Sequence, residues 1–282
     1  MEAMVVPAIG RIMQLQLAGD AEGALWENRT LDGQLHSSIS NQAHSGEWMN
    51  FGGDKCWPAP QSNWRLQQGR DWPPPAGFDS RPMDADVTPC GVVLSSPVDS
   101  AYGVQVVRHV ELDAVSPVLR IRTEFRKVSG SPVRVGVWSI TQMQEPERVF
   151  LLLNEESRFA NRYVRLLEAE PAGLEIDGRL LSFARDPRKL TKLGSDGSSL
   201  AWVGPTCVVR IDAQQGPGEY PDRGCAIEIY TNPDPQNYVE CETLGPLEII
   251  AVGDRIERTT VYTMFPRTMP NPEAEARKVF CL

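Results

Sequence analysis

Period-two alternation constrains this chain more than any other feature. Val118, Arg120, Arg122 and Glu124 alternate with Leu119, Ile121, Thr123 and Phe125, the pattern of a strand with one wet and one dry face. The turn signal Ser129-Gly130-Ser131-Pro132 follows. A second run then places Val133, Val135 and Val137 on one face and Arg134, Gly136, Trp138, Ile140 and Gln142 on the other. Alternating runs joined by short turns pair antiparallel. Residues 104–112, 173–183, 200–211, 224–230, 238–243 and 259–265 continue the pattern. Helical signals are sparse. Residues 161–169 fit a short helix or another strand, and Asn271-Pro272-Glu273 opens a C-terminal helix through Lys278 with proline in its first turn. Residues 61–88 hold Trp72-Pro73-Pro74-Pro75 and read as a long ordered loop, and residues 187–199 read as a polar connector. With no repeat, heptad run or linker, the expected architecture is all-β: a single domain over residues 1–282, built of packed antiparallel sheets with a short C-terminal helix.

Charge and composition exclude several function classes. A net charge of −9 and a pI near 5.0, with no basic stripe, argue against a nucleic-acid partner. The longest fully apolar run, residues 149–153, is too short to cross a bilayer, so no membrane role is expected. The first residues lack a basic stretch followed by an apolar one, so no signal peptide is expected. The six cysteines are widely spread without a Cys-x-x-Cys pair and read as reduced thiols, which makes the cytoplasm the default compartment. Phosphate-loop, nucleophile-elbow and dinucleotide fingerprints are absent. His36 and His44, with Glu47 nearby, do not form a metal pattern, and neither metal nor cofactor is expected.

Residues 50–64 carry the strongest functional signal. Two glycines, two prolines, two tryptophans, a lysine and three amides fall within fifteen positions. Paired glycines permit positive φ or a close backbone approach. Tryptophans beside amides and a lysine make an apolar plane rimmed by hydrogen-bonding groups, which suits the C–H face and hydroxyls of a sugar. The alternative is a rigid loop whose tryptophans plug the core.

The order of several short motifs resembles the galactose-mutarotase-like (aldose 1-epimerase-like) superfamily over nearly the whole chain. Gly10-Arg11-Ile12 and Ala24-Leu25-Trp26-Glu27-Asn28 resemble its opening strand pair. Gly52-Gly53-Asp54-Lys55-Cys56-Trp57-Pro58 is similar to a Gly-Gly segment of its hexose-phosphate epimerases. Residues 106–112, 118–125 and 132–142 match its central meander, and Ile229-Tyr230-Thr231-Asn232 and residues 238–246 its late strands. The pairing of Gly-Gly-Asp-Lys-x-Trp-Pro-Ala-Pro-Gln with Tyr-Val-Glu-x-Glu-Thr-Leu-Gly-Pro looks closest to a little-characterised bacterial branch. The resemblance implies a β-supersandwich with a carbohydrate cleft on a concave face. It also implies two catalytic histidines and a late glutamate base. Here the sequence departs: Trp138 or its neighbour stands where the first histidine belongs, and no histidine follows His109.

The expected site residues follow from both lines. Glu240 and Glu242, two apart on a strand, project from one face with Tyr238, and either matches the superfamily's base. Lys55 or His109 would supply the acid, since proton transfer needs a group with a pKa within reach of neutrality. Arg11, Asp54, Trp57, Gln61, Trp64, Trp138, Tyr230 and Asn232 are the expected sugar contacts, with Trp72 a further stacking plane. Each has a structural alternative: core packing for a tryptophan, a solvated face for the glutamates, a surface salt bridge for Arg11. The expected partner is a small carbohydrate. Three functions stay open: a carbohydrate-binding protein working as an isomerase or epimerase with a non-standard acid/base pair, a non-catalytic sugar sensor, and an ordinary aldose 1-epimerase.

Overall fold

A computed structural model describes residues 1–20, 22–32 and 48–282. His36, His44 and Glu47 lie outside the described residues. The strands run in chain order β1 (Glu2–Val6), β2 (Arg11–Gln16), β3 (Asp54–Ala59), β4 (Asp84–Thr88), β5 (Gly91–Ser95), β6 (Val104–Leu112) and β7 (Val118–Lys127). They continue as β8 (Val133–Met143), β9 (Arg148–Leu152), β10 (Val164–Arg165), β11 (Ala172–Asp177), β12 (Leu180–Ala184) and β13 (Thr191–Ser195). The last are β14 (Ser199–Val203), β15 (Cys207–Asp212), β16 (Ile227–Thr231), β17 (Val239–Leu244), β18 (Glu248–Ile250) and β19 (Arg255–Pro266). Three short helices complete the list: α1 (Trp64–Gln68), α2 (Ala76–Asp79) and α3 (Pro272–Phe280).

Two antiparallel sheets pack face to face. One runs β1-β2-β3-β8-β17-β16-β13-β10, with β18 paired to an end of β8. The other runs β11-β12-β9-β14-β15-β19-β7-β6-β5-β4. Between them lies an apolar layer that includes Ile12, Leu25, Ile121, Leu151, Ile229, Val239 and Met264, all buried. Burying such side chains supplies roughly 1.5–3 kcal/mol each, the main term opposing chain entropy. Helix α3 covers the outer side of the second sheet, where Ala276, Val279 and Phe280 meet Phe150, Ala201 and Val208. Its start is fixed as the sequence indicates, with Asn271 Oδ1 accepting from the backbone N–H of Glu273 and Ala274.

The meander 104–142 forms with the expected period. Four expectations need correction. Residues 173–183 and 200–211 are hairpins rather than single strands, turning at Gly178 and near Gly204-Pro205. The connector 187–199 contains β13, which pairs with β16 along its full length. The loop 61–88 carries α1, α2 and β4, whereas residues 161–169 take the strand alternative as the two-residue β10.

The fourth correction concerns residues 50–64, whose middle is the buried strand β3 despite Pro58 and Asp54. All six residues of β3 pair with β8, whereas β2 pairs with it only at Ile12–Asp54. Pro58 therefore costs no ladder bond on the β2 side. Gly52 and Gly53 precede the strand with φ of 91° and 71°. A Cβ on Gly52 would stand 2.1 Å from the Trp26 carbonyl oxygen, and one on Gly53 2.4 Å from that of Ile12. The paired glycines thus let the chain slip under two neighbouring backbones.

Candidate functional site

Register decides which side chains share a face. Lys55 is opposite Ile140, Ile140 opposite Glu242, and Glu242 opposite Glu228. The adjacent rows place Trp57 opposite Trp138, and Gln142, Glu240, Tyr230 and Lys192 across four strands. Side chains directly opposite one another point the same way. All of these project from the face of the first sheet turned away from the second.

Charged groups are concentrated on that face. Lys55 Nζ is 3.4 Å from Glu240 Oε1, and 4.9 Å and 5.9 Å from the ring centres of Trp57 and Trp48. Lys192 Nζ is 2.6 Å from Glu228 Oε2 and 2.9 Å from Glu242 Oε2. The Trp138 indole donates to the same Glu242 oxygen at 2.6 Å. Asp79, from α2, accepts from Arg11 Nη2 and Trp57 Nε1, both at 2.8 Å, and from Trp48 Nε1 at 3.2 Å.

Burial and neighbouring charge shift these groups. Desolvation lowers the Lys55 ammonium pKa, against the pull of Glu240. Burial raises Glu242, and it raises Glu228 well above the usual carboxylate value, although Lys192 opposes both. Lys192 itself is raised: the two carboxylates outweigh its own desolvation. One ammonium cannot neutralise two buried carboxylates, so the carboxyl pair retains a proton more readily than either group would alone.

Tryptophans wall this floor. Trp57 makes edge contacts with Trp48, Trp64, Trp72 and Trp138, at 6.2, 5.5, 5.9 and 5.4 Å between ring centres. Trp64 is fully buried and donates to the Pro58 carbonyl, so it packs rather than presents a surface. Trp72 is 45% exposed, 5.0 Å from Trp48 and stacked on Trp64 at 6.1 Å. Among the ionic groups, the Glu240 side chain is 12% exposed and that of Lys192 15%, whereas Lys55 and Glu242 are each 1% exposed. Glu240 therefore reaches the opening, with Lys55 behind it.

The expected residues divide. Arg11, Lys55, Trp57, Trp138, Tyr230, Glu240 and Glu242 lie together on this face. Asn232 lies beside them, accepting from the Tyr230 hydroxyl at 2.9 Å. Besides the buried Trp64, three are placed elsewhere or differently. Asp54 alternates to the opposite face and is buried between the sheets, where it binds Arg108 and accepts from Thr141 and Tyr262, both at 2.8 Å. His109 sits on the outward face of the second sheet, its Nε2 3.1 Å from Glu124 Oε1, so it cannot serve as acid beside Glu240. Gln61 is exposed in a 3-10 turn and has no side-chain bond among the described residues. Sequence reasoning missed Lys192, Glu228 and Asp79. The signal available for the first two was the alternation of 191–195 and 227–231, which puts Lys192 and Glu228 on defined faces. Their meeting depends on cross-strand register.

No protein-family model and no curated protein matches the sequence. Solved structures do match. A candidate aldose 1-epimerase from Escherichia coli K12 is 14% identical, with 94% of this chain and 96% of that chain covered at a TM-score of 0.61. A galactose mutarotase-like protein from Lactobacillus casei is 9% identical, with coverage of 93% and 96% at a TM-score of 0.60. A galactose mutarotase related enzyme from Lactobacillus acidophilus is 10% identical, with coverage of 96% and 95% at 0.55. The chain thus has the galactose-mutarotase-like fold: an all-β antiparallel sandwich with a short C-terminal helix. Among the described residues, no helix is long and apolar enough to cross a membrane.

Proposed function

We propose that this protein binds a neutral carbohydrate on the tryptophan-walled face of its first sheet. The observation that carries the reading is the Lys55–Glu240 pair beside the Lys192–Glu228–Glu242 cluster, on the face of the first sheet turned away from the second. Burying charges costs several kcal/mol per ion before pairing returns any of it, and groups perturbed by burial and by each other tend to cluster where a protein handles ligands. Trp72 offers the stacking plane, while Glu240, Lys192 and Tyr230 offer hydroxyl partners at the opening. Each nearby cation already faces a carboxylate: Arg11 faces Asp79, Lys55 faces Glu240, and Lys192 faces two. A sugar phosphate or uronic acid would find no free cation among the described residues, which favours neutral sugars.

Catalysis is the second reading, and the Lys55–Glu240 contact favours it. In anomer exchange a base removes the proton of the anomeric hydroxyl, the bond between the anomeric carbon and ring oxygen breaks, and the ring oxygen gains a proton. Glu240 is the least buried of the three carboxylates and could accept the first proton. Glu240 then returns that proton to the ring oxygen, while Lys55 stands behind as the ion-pair partner that positions the carboxylate. The test is a thermal-shift screen of neutral hexoses and short oligosaccharides against hexose phosphates and uronic acids. A neutral sugar should raise the melting temperature by mass action, and Trp72→Ala should abolish the rise. A screen in which only charged sugars stabilise the protein, or none do, refutes the proposal.

A further inference from the structure

Beyond the Glu240 side, the sheet borders a cavity. Leu25 is buried in the core between the sheets, so Trp26 faces the other way. The Trp26 ring lies 4.8 Å from that of Tyr238, and Tyr238 lies 6.4 Å from Tyr230. Tyr230 is the cross-strand partner of Glu240. The packed rings, of which Tyr238 is buried, thus place Glu240 near a pocket of about 670 Å³ that Trp26 lines. That volume is typical of a ligand site.

The chemistry of the lining selects its occupant. Trp26 is half-buried, and among the described residues its indole N–H has no hydrogen-bond partner. Gln14, Gln144 and Asn237 bring amides to the wall. Among the described lining residues, Glu22, Glu27, Asp32 and Glu145 face one cation, Arg29, which contacts Glu27 and Asp32, while Glu145 also pairs with Arg185 from outside the lining. An aromatic ring with a free donor, amides and excess carboxylate suits a sugar's hydroxyls and repels anions. We infer that this pocket is a second sugar subsite, and that the protein takes a neutral oligosaccharide extending from Glu240 past Tyr230 to Trp26, over the buried Tyr238. The inference rests on the carbohydrate reading above and names its substrate class.

Calorimetric titration tests it, using glucose, galactose and mannose beside maltotriose, cellotriose, β-1,4-galactotriose, β-1,4-mannotriose and tri-galacturonate. A neutral trisaccharide should bind at least tenfold tighter than its monomer. Trp26→Ala should cost the trisaccharide at least tenfold and leave the monomer's affinity unchanged. The exposed Asn237→Ala is a second variant with little reason to perturb folding, and should weaken the trisaccharide alone by severalfold. Equal affinity for monomer and trimer, or trisaccharide binding untouched in both variants, overturns the subsite while leaving the carbohydrate reading intact. Preferential binding of tri-galacturonate overturns its neutral character. Failure of every sugar to bind overturns both.

Discussion

Glu228 and Glu242 are directly opposite one another on adjacent strands, and both carboxylates close on the ammonium of Lys192. Both are fully buried, and both have raised pKa values through burial and proximity. A carboxyl whose folded pKa is raised contributes stability below its ordinary value of 4.5, and loses it as pH rises through the folded value. Lys192 is raised above 10.5, so its contribution is constant from pH 5 to 9. Glu228→Gln removes one of the two competing charges. Its melting temperature relative to wild type should therefore climb as pH rises above 4.5 and level off once pH passes the raised folded value. A difference independent of pH would mean that both carboxylates ionise without strain.

The Lys55–Glu240 pair makes a kinetic prediction. If the protein exchanges anomers, Glu240→Gln should lower the rate by roughly 10²–10⁴-fold, the usual worth of a positioned base, with sugar affinity changed little. Lys55 must be protonated to hold Glu240 in its ion pair, so the rate should fall as pH rises through the lysine's lowered pKa, below the ordinary 10.5. Lys55→Arg should shift that alkaline limb upward. Saturation-transfer NMR on an equilibrated hexose measures both. An unchanged exchange rate in Glu240→Gln would leave a binding protein without catalysis.

Asp79 holds Arg11, Trp57 and Trp48 to one carboxylate. Asp79→Ala would strand the buried Arg11 guanidinium, whose pKa desolvation already lowers. The expected loss is about 3–5 kcal/mol, as for a broken buried ion pair, read from urea unfolding. Trp72 should also become more mobile, which its fluorescence would report. Asp79→Asn, which keeps an acceptor, should lose less.

Asp54 and His109 test the corrected placements. Asp54 ties the two sheets together through Arg108, Thr141 and Tyr262. Asp54→Ala should therefore cost about 3–5 kcal/mol. His109→Ala should cost under about 1 kcal/mol, because its side chain lies on the outward face of the second sheet. It should leave sugar binding unchanged. A His109 variant that lost binding would contradict the assignment of the site to the first sheet.

Much of this was legible in the residue order. The alternation of 118–125 and 133–142 defined two strands and their faces, because side chains flip every residue along an extended chain. The i, i+2 spacing of Glu240 and Glu242 put both carboxylates on one face for the same reason. Asn271-Pro272 marked the start of α3 through local chemistry alone. Strand β3 was not legible. Pro58, Lys55 and Asp54 argue against a buried strand unless it is known that one side of it is largely unpaired and that Arg108 and Glu240 wait on its two faces.

What the sequence by itself determined is therefore local: strand period, turn positions, helix cap and the glycine pair that permits a close backbone crossing. Tertiary structure alone decided which of the two sheets each alternating residue would face. It sent Asp54 into the core and His109 to the outside, and brought Lys192 to Glu228 and Glu242 from separate stretches of chain. The physical reason is that a strand's period specifies two faces without naming their neighbours. Charges become a site only when register between distant strands sets them within a few ångströms and burial removes the water that would otherwise screen them.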